Sequence, residues 1–413
     1  MERLLMPELP LVSVIVPCWN AGSVIARTLA SVLDERTVSL ECIVVDDAST
    51  DETLEVVQEL ARADPRIVLL RQPANEGVSS ARNRALDVAR GEWLTLLDAD
   101  DRFFPGGIAA LDAAARGTDA LAVVGQQVWS DGQGHWVSSL YEIPDIREPG
   151  RKSLATHPGL LYFVSPHAKL FHRSIVDGLR FEGRVLGDQP WVIRALLRAG
   201  NRIEVIGTTV YEWIRAAPGA TAPPSITTTT RSSAARGVEA ASIASAALAT
   251  VMDEAGQLLA EADARRVAAT YVERLLRSDL GVHLSRALAR RDPTMAELLA
   301  ALEAFVSAAP ADLLRASDAL AREIVEPPLR RWSRVPASAR EPYWSLVGAA
   351  VAADPELPSR GTTPMSRLRL RLAAEATPAS RRAAVALSRP GRLLARARRM
   401  VSRHRSAGAK RPD

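Results

Sequence analysis

The chain has 413 residues, 47% of them apolar and 5% aromatic, with a formal net charge of +4. That length exceeds the size at which one core stops growing, which predicts two domains, and the apolar content excludes disorder throughout. Residues 361–413 carry 14 Lys/Arg against two acids, leaving 38 basic against 46 acidic residues upstream, so an acidic body precedes a basic tail and a nucleic-acid-binding body is not expected.

Val12 to Val16 is a short apolar run closed by Pro17, and Val24, Ile25, Leu29, Val32 and Leu33 then recur at helical spacing. The run Cys42 to Val45 ends in Asp46-Asp47-Ala48-Ser49-Thr50-Asp51, after which Leu54, Val56, Val57 and Leu60 resume a helical pattern. A third strand at Ile67 to Leu70 leads to a helix over Ala81 to Ala89, and a fourth, Trp93 to Leu97, ends at Asp98. Strands alternating with helices predict an α/β domain with a mostly parallel sheet. In such sheets ligands bind outside the carboxyl ends of the strands, which is where these polar residues cluster. Shorter strands are expected around Leu121–Val128 and Ile203–Ile206, with a helix near Trp191 to Arg198 between them.

After the Pro/Thr-rich stretch Pro218 to Thr230 the pattern turns helical, and Pro and Gly break it again between Asp354 and Pro364. The expected division is an α/β domain over 11–217, a helical domain over 231–355 and a basic tail over 361–413. In the tail, Leu393, Leu394, Ala397, Met400 and Val401 share one helical face and Arg392, Arg396, Arg399 and Arg403 another. That pattern fits docking on an anionic membrane face or polymer, and equally a solvated, disordered basic segment. No apolar run reaches the roughly 20 residues that span a bilayer, and Glu8 and Pro10 interrupt the start before a signal-peptide core forms. Cys18 and Cys42 lie in strand-like runs, which predicts buried free thiols and a cytoplasmic setting.

Asp98-Ala99-Asp100 directly follows a predicted strand, whose alternation puts both carboxylates on one side, where they can share a ligand such as a divalent cation; Asp101 then points elsewhere. A solvated turn, or a helix cap at Asp101, accounts for the same residues without function. The context is an ordered series: Val16-Pro17-Cys18-Trp19-Asn20, Val45-Asp46-Asp47-Ala48-Ser49-Thr50-Asp51, Asn75-Glu76-Gly77-Val78-Ser79-Ser80-Ala81-Arg82-Asn83 and Leu97-Asp98-Ala99-Asp100-Asp101. With these four motifs, over roughly residues 11 to 215, the chain resembles family-2 glycosyltransferases. The resemblance implies a GT-A fold that moves a sugar, with inversion, from a nucleotide-sugar donor such as a UDP-sugar to an acceptor hydroxyl on a glycan or cell-envelope polymer, with Mn2+ or Mg2+ as cofactor. It also implies that Pro17 and Asp47 contact the nucleobase, Asn75 and Arg82 line the donor pocket, Asp98 touches the ribose or sugar, and Asp100 binds the metal. Helix capping is the plainer role for Ser49 and Asp51, and a surface ion pair for Arg82.

Leu186-Gly187-Asp188-Gln189-Pro190-Trp191 is similar to the family's stretch in which a Glu-Asp pair precedes a helix. The resemblance implies Asp188 as the general base, with Gly187 in place of the usual glutamate; capping of the following helix is the alternative. Arg215, in Tyr211-Glu212-Trp213-Ile214-Arg215, corresponds to a basic side chain near the donor diphosphate. Ser165-Pro166, Lys169 and the Gly-Asp-Gln resemble, more narrowly, bacterial wall teichoic acid glycosyltransferases, which decorate poly(polyol-phosphate) chains. His135, His157, His167 and His172 share no metal-like spacing and are not expected in the site. Trp129 and Trp136, flanking Ser130 to Gly134, are candidates for a sugar-facing platform. Gly187 leaves a second reading open, a degenerate member that binds a polymer or partner without turnover.

Overall fold

The computed structural model describes residues 11–131, 134–183, 186–214, 234–280, 283, 295–310 and 313. β1 (Val12–Cys18) and β2 (Leu40–Asp46) are buried at all seven of their positions, as strands covered on both faces must be. With β3 (Ile67–Arg71) and β4 (Trp93–Leu96) they form a parallel block in the order β3-β2-β1-β4. The sheet continues through β9 (Lys169–His172), β6 (Ala122–Ser130), β10 (Ile203–Ile214) and β5 (Arg102–Phe103). β9 runs antiparallel to both its neighbours, whereas β6 and β10 are parallel. β7 (His135–Val137) adds to β6, and β8 (Gly150–Lys152) to β10.

The chain runs outward from β1 to β3 and then crosses to β4 on the other side of β1. Strand order therefore reverses at β1, which makes the end of the sheet beyond Cys18, Asp46 and Leu96 the switch point where such sheets place a ligand crevice. Pro17 does not close β1 as expected, but sits within it opposite Val45. The carbonyls of Leu11 and Ile15 face β4, so by alternation the N–H that Pro17 lacks would face β4 too, beyond the last paired residue, Leu96. The proline therefore costs no ladder bond.

The helices of this body are α1 (Ile25–Leu33), α2 (Thr53–Ala63), α3 (Val78–Val88), α4 (Gly107–Gly117), the single turns α5 (Pro144–Arg147) and α6 (Arg173–Val176), and α7 (Asp188–Ala199). In α1, Ile25, Leu29, Val32 and Leu33 fall on one face and are buried. Trp191 anchors α7. It meets Phe171 of β9 edge-on at 5.0 Å and stacks on Phe181 at 4.6 Å, contacts worth about 0.5–1.5 kcal/mol each beyond the area they bury.

Helices continue in α8 (Ala234–Leu258), α9 (Glu261–Arg274), a π-helical turn over Leu275–Leu280, and α10 (Met295–Ala308). Contacts divide the chain into two compact units. One joins the described residues of 11–214 with 246–271, and the other joins those of 234–245 with 272–313. In the first, Arg194 and Arg198 of α7 both bond Glu254, and Tyr271 donates to Gln189 at 3.2 Å. In the second, Gly237 lies where a Cβ would come within 2.6 Å of Leu298, so α8 and α10 approach closely. Arg215 and the basic segment 361–413 lie outside the described residues.

Candidate active site

The turn after β4 carries three aspartates with three different environments. Asp98 accepts from Arg82 Nη2 at 3.0 Å, and its other oxygen lies 3.1 Å from Nε2 of His167. Burial works against its charge, but His167 and Arg82 outweigh burial and hold the carboxyl well below the usual range. Asp101 is buried, accepting from the Tyr211 hydroxyl at 2.7 Å and from the Ile214 amide at 2.8 Å. Burial, then the charges of Asp100 and Asp98, push it well above the carboxylate range. Asp100 has no ion-pair partner among the described residues, and burial together with Asp98 pushes it up to about 6.

Helix α1 fixes this turn from below. Thr28 Oγ1 donates within 2.8 Å to the carbonyls of Ala99 and Asp101, and Arg27 Nη2 donates to the Asp100 carbonyl at 3.1 Å. From above, His167 stacks on Tyr211 with centroids 5.1 Å apart, and the Asp98 amide donates to the Tyr211 hydroxyl at 3.3 Å. Arg82 is buried, with its guanidinium 5.3 Å from the Phe181 ring and its Nε unbonded, and its ion pair is made with the half-buried Asp98 rather than along its own helix.

Asp47 follows β2 and is buried. One of its oxygens takes the Glu76 amide, the other the Gly77 amide, both at 2.8 Å, and Gln72 donates as well, so Asp47 fixes the loop that opens α3. Asn75 is exposed on that loop, and Pro17 is buried in β1. The expected caps divide. Asp51 accepts from the Thr53 amide at 3.0 Å, at the start of α2, whereas Ser49 accepts from the Asn20 amide at 2.9 Å and ties the two loops together. Four non-glycine residues with positive φ among the described ones, Asn20 (49°), Ala48 (56°), Ala168 (57°) and Leu186 (56°), all lie in loops around this crevice. Each costs roughly 1–2 kcal/mol, the kind of strain that functional loops store.

Asp188 opens α7 as its first helical residue. The residue before it, Gly187, makes no side-chain cap, and Asp188 has no ion pair among the described residues. Behind it, Lys169 is fully buried, donates to the carbonyls of Ser165 and His167 at 2.7 and 3.3 Å, and lies 3.4 Å from the Phe163 ring. Burial lowers its basicity well below normal, with the Asp188 charge opposing. Lys169 thus ties β9 to the loop that carries His167, the residue beside Asp98. At Gly187 a Cβ would lie 1.9 Å from the Glu182 carbonyl, so a side chain there is excluded by backbone.

The fold therefore sets Pro17, Asp47, Asn75, Asp98 and Asp100 on loops and strand ends at the carboxyl side of the parallel block, with Arg82 reaching Asp98 from α3, and it places Asp188 at the start of α7. His167 and Tyr211 went unrecognised in the sequence, because no spacing links them to Asp98 and only the placement of β9 and β10 does. Among the described residues no group of three or more His, Cys, Asp or Glu side chains is placed to hold a metal ion.

A parallel block with an acidic turn at its topological switch point defines a ligand-binding α/β domain. The sequence profile of Glycosyl transferase family 2 matches residues 13–180. Glycosyltransferase GlyG of Streptococcus pneumoniae is 33% identical over 219 residues, covering 50% of this chain and 71% of that protein. The chain belongs to glycosyl transferase family 2. The putative teichuronic acid biosynthesis glycosyltransferase TuaG of Bacillus subtilis is 44% identical over 94 residues, but the match covers only 23% of this chain and 37% of TuaG. The crystal structure of Staphylococcus aureus TarS 1–349 in complex with UDP-GlcNAc superposes with a TM-score of 0.64 at 20% identity, covering 83% of this chain and 91% of that one. The GT-A-like fold is thereby shared. No helix among the described residues is long and apolar enough to cross a membrane.

Proposed function

We propose that this protein is an inverting glycosyltransferase that moves a sugar from a nucleotide donor, a UDP-sugar, to a hydroxyl of a glycan or cell-envelope polymer. The observation that carries the reading is the Asp98–Asp101 turn, clamped by Arg82, His167 and Tyr211 at the switch point of the sheet. Family membership supports the transferase chemistry. The TarS neighbour, crystallised with UDP-GlcNAc, and TuaG, named for teichuronic acid biosynthesis, motivate the donor and the acceptor class.

In this reading Asp98, kept ionised by Arg82 and His167 beside it, accepts hydrogen bonds from the ribose or sugar, while Asn75 and Arg82 line the donor pocket and Pro17 and Asp47 border the nucleobase. The resemblance of its motif assigns Arg215 to the donor diphosphate. Asp188 takes the proton of the acceptor hydroxyl as its oxygen bonds to the anomeric carbon and the bond from that carbon to the diphosphate breaks. A divalent cation, Mn2+ or Mg2+, would neutralise charge on the leaving diphosphate. Asp100 is the residue that would hold it. Its carboxyl has no ion-pair partner among the described residues and sits in a negative field, with Asp98 beside it, that favours a cation.

Thermal unfolding with a panel of nucleotide sugars, each with and without Mn2+ and Mg2+, tests the reading, because a ligand that binds only the native state raises apparent stability. A UDP-sugar should raise the melting temperature only with metal, and the same sugar should appear on added acceptor. No stabilisation by any nucleotide sugar would leave the degenerate, polymer-binding reading in its place. The basic segment 361–413 supports a further part of the proposal, peripheral docking on an anionic membrane or polymer. Sedimentation with anionic and neutral vesicles, with and without that segment, tests it.

A further inference from the structure

Trp136, Trp129 and Trp213 form a row across three neighbouring strands. Trp129 of β6 stands directly opposite Trp136 of β7 on one side and Trp213 of β10 on the other. Residues opposite one another in a sheet project from the same face. The rings of Trp129 and Trp213 stack with centroids 3.8 Å apart and 27° between their planes. All three residues of β7 are exposed, Trp136 at 38% and Val137 at 61%, so this strand carries the row beyond the part of the sheet that other elements cover. Large aromatic surface left in water is unfavourable for folding and marks surface used for binding.

The row is continuous with the acidic turn. Tyr211 and Trp213 are two apart on β10 and share a face, about 7 Å apart along the strand. Tyr211 bonds Asp101 and the Asp98 amide, and the Ile214 amide bonds Asp101. Glu212, between them, turns to the other face, where Arg102 and His135 pair with it.

Resting on the transferase reading above, we infer that the Trp136–Trp129–Trp213 row is an acceptor subsite that binds the pyranose rings of an oligosaccharide. A pyranose offers an apolar C–H face ringed by hydroxyls. Trp136 offers that face a broad, rigid surface, while Trp129 and Trp213, which cover one face of each other, have only their other face and an N–H edge to add. Strands lie about 4.8 Å apart, so the outer two tryptophans stand about 10 Å apart, close to the length of a disaccharide. A chain laid along the row leads toward Tyr211 and the Asp98 turn, where an acceptor hydroxyl must meet the donor.

The test uses calorimetric titration of the full chain, and of its Trp136→Ala and Trp136→Phe variants, with a hyaluronan hexasaccharide and separately with UDP plus Mn2+. Trp136 is 38% exposed, and the thermal unfolding of each variant, compared with wild type, checks that the fold is kept. We expect Trp136→Ala to weaken the hexasaccharide by about tenfold or more, Trp136→Phe to keep most of the affinity, and UDP binding to stay within about twofold of wild type. Equal hexasaccharide affinity in wild type and Trp136→Ala, or a wild type that binds UDP but not the hexasaccharide, overturns the subsite alone. A wild type that binds the hexasaccharide through Trp136 but no nucleotide overturns the transferase reading and leaves the row as a glycan-binding surface.

Discussion

Tyr211 donates its hydroxyl to Oδ2 of Asp101 at 2.7 Å and receives the Asp98 amide on the same oxygen at 3.3 Å, so a single phenol fastens β10 to the turn that presents Asp98 and Asp100. Tyr211→Phe removes both bonds and leaves a buried carboxyl and a backbone N–H short of partners. The expected cost is about 1–3 kcal/mol in urea unfolding, accompanied by weaker nucleotide binding because the turn is released. Wild-type stability in the variant would show that the clamp contributes nothing.

Asp188→Asn keeps the shape of the side chain at the start of α7 and removes its basicity. Turnover should fall by roughly a hundredfold or more while donor affinity holds, the separation expected when only a transition-state role is lost. Unchanged kcat in steady-state assays would rule out Asp188 as the base.

Asp100→Ala should act on binding. Nucleotide affinity measured with Mn2+ should drop toward the value that wild type shows in chelator, while Asp100→Ala itself becomes indifferent to chelator. Wild-type affinity that does not respond to metal removal would eliminate the role of Asp100 as a ligand.

Glu254 receives Arg194 and Arg198, each at 2.7 Å. Burial opposes its charge, and the two arginines overcome burial and lower its pKa. A lowered folded value means that the contribution to stability is present above the ordinary glutamate range and is lost as pH falls through the folded value. Glu254→Gln should therefore cost about 1–3 kcal/mol at neutral pH and progressively less as pH is lowered below the ordinary glutamate range, read from denaturation curves at neutral and acid pH. The same cost at both pH values would count against an ionic origin.

The parallel block was legible because strands buried on both faces read as continuous apolar runs, as Val12 to Val16 and Cys42 to Val45 do. β10 was legible only as Ile203–Ile206, since Gly207-Thr208-Thr209 looks like a turn; the strand runs on to Ile214 by slipping its register against β6 between Val205 and Tyr211. Two-, three- and four-residue strands such as β5, β7 and β9 are too short to leave a period in sequence.

By itself the sequence determined the alternation of strands and helices, the polar loops that follow β1, β2 and β4, and the likeness carried by their motifs, because all of these rest on neighbours within one β-α unit. Tertiary structure alone decided what those loops meet. It brought His167, from the loop before β9, and Tyr211 of β10 to Asp98, and aligned Trp136, Trp129 and Trp213 across three strands. The reason is physical. Charge, desolvation and stacking act through space over a few ångströms, and separation along the chain carries no record of which groups a sheet will place side by side.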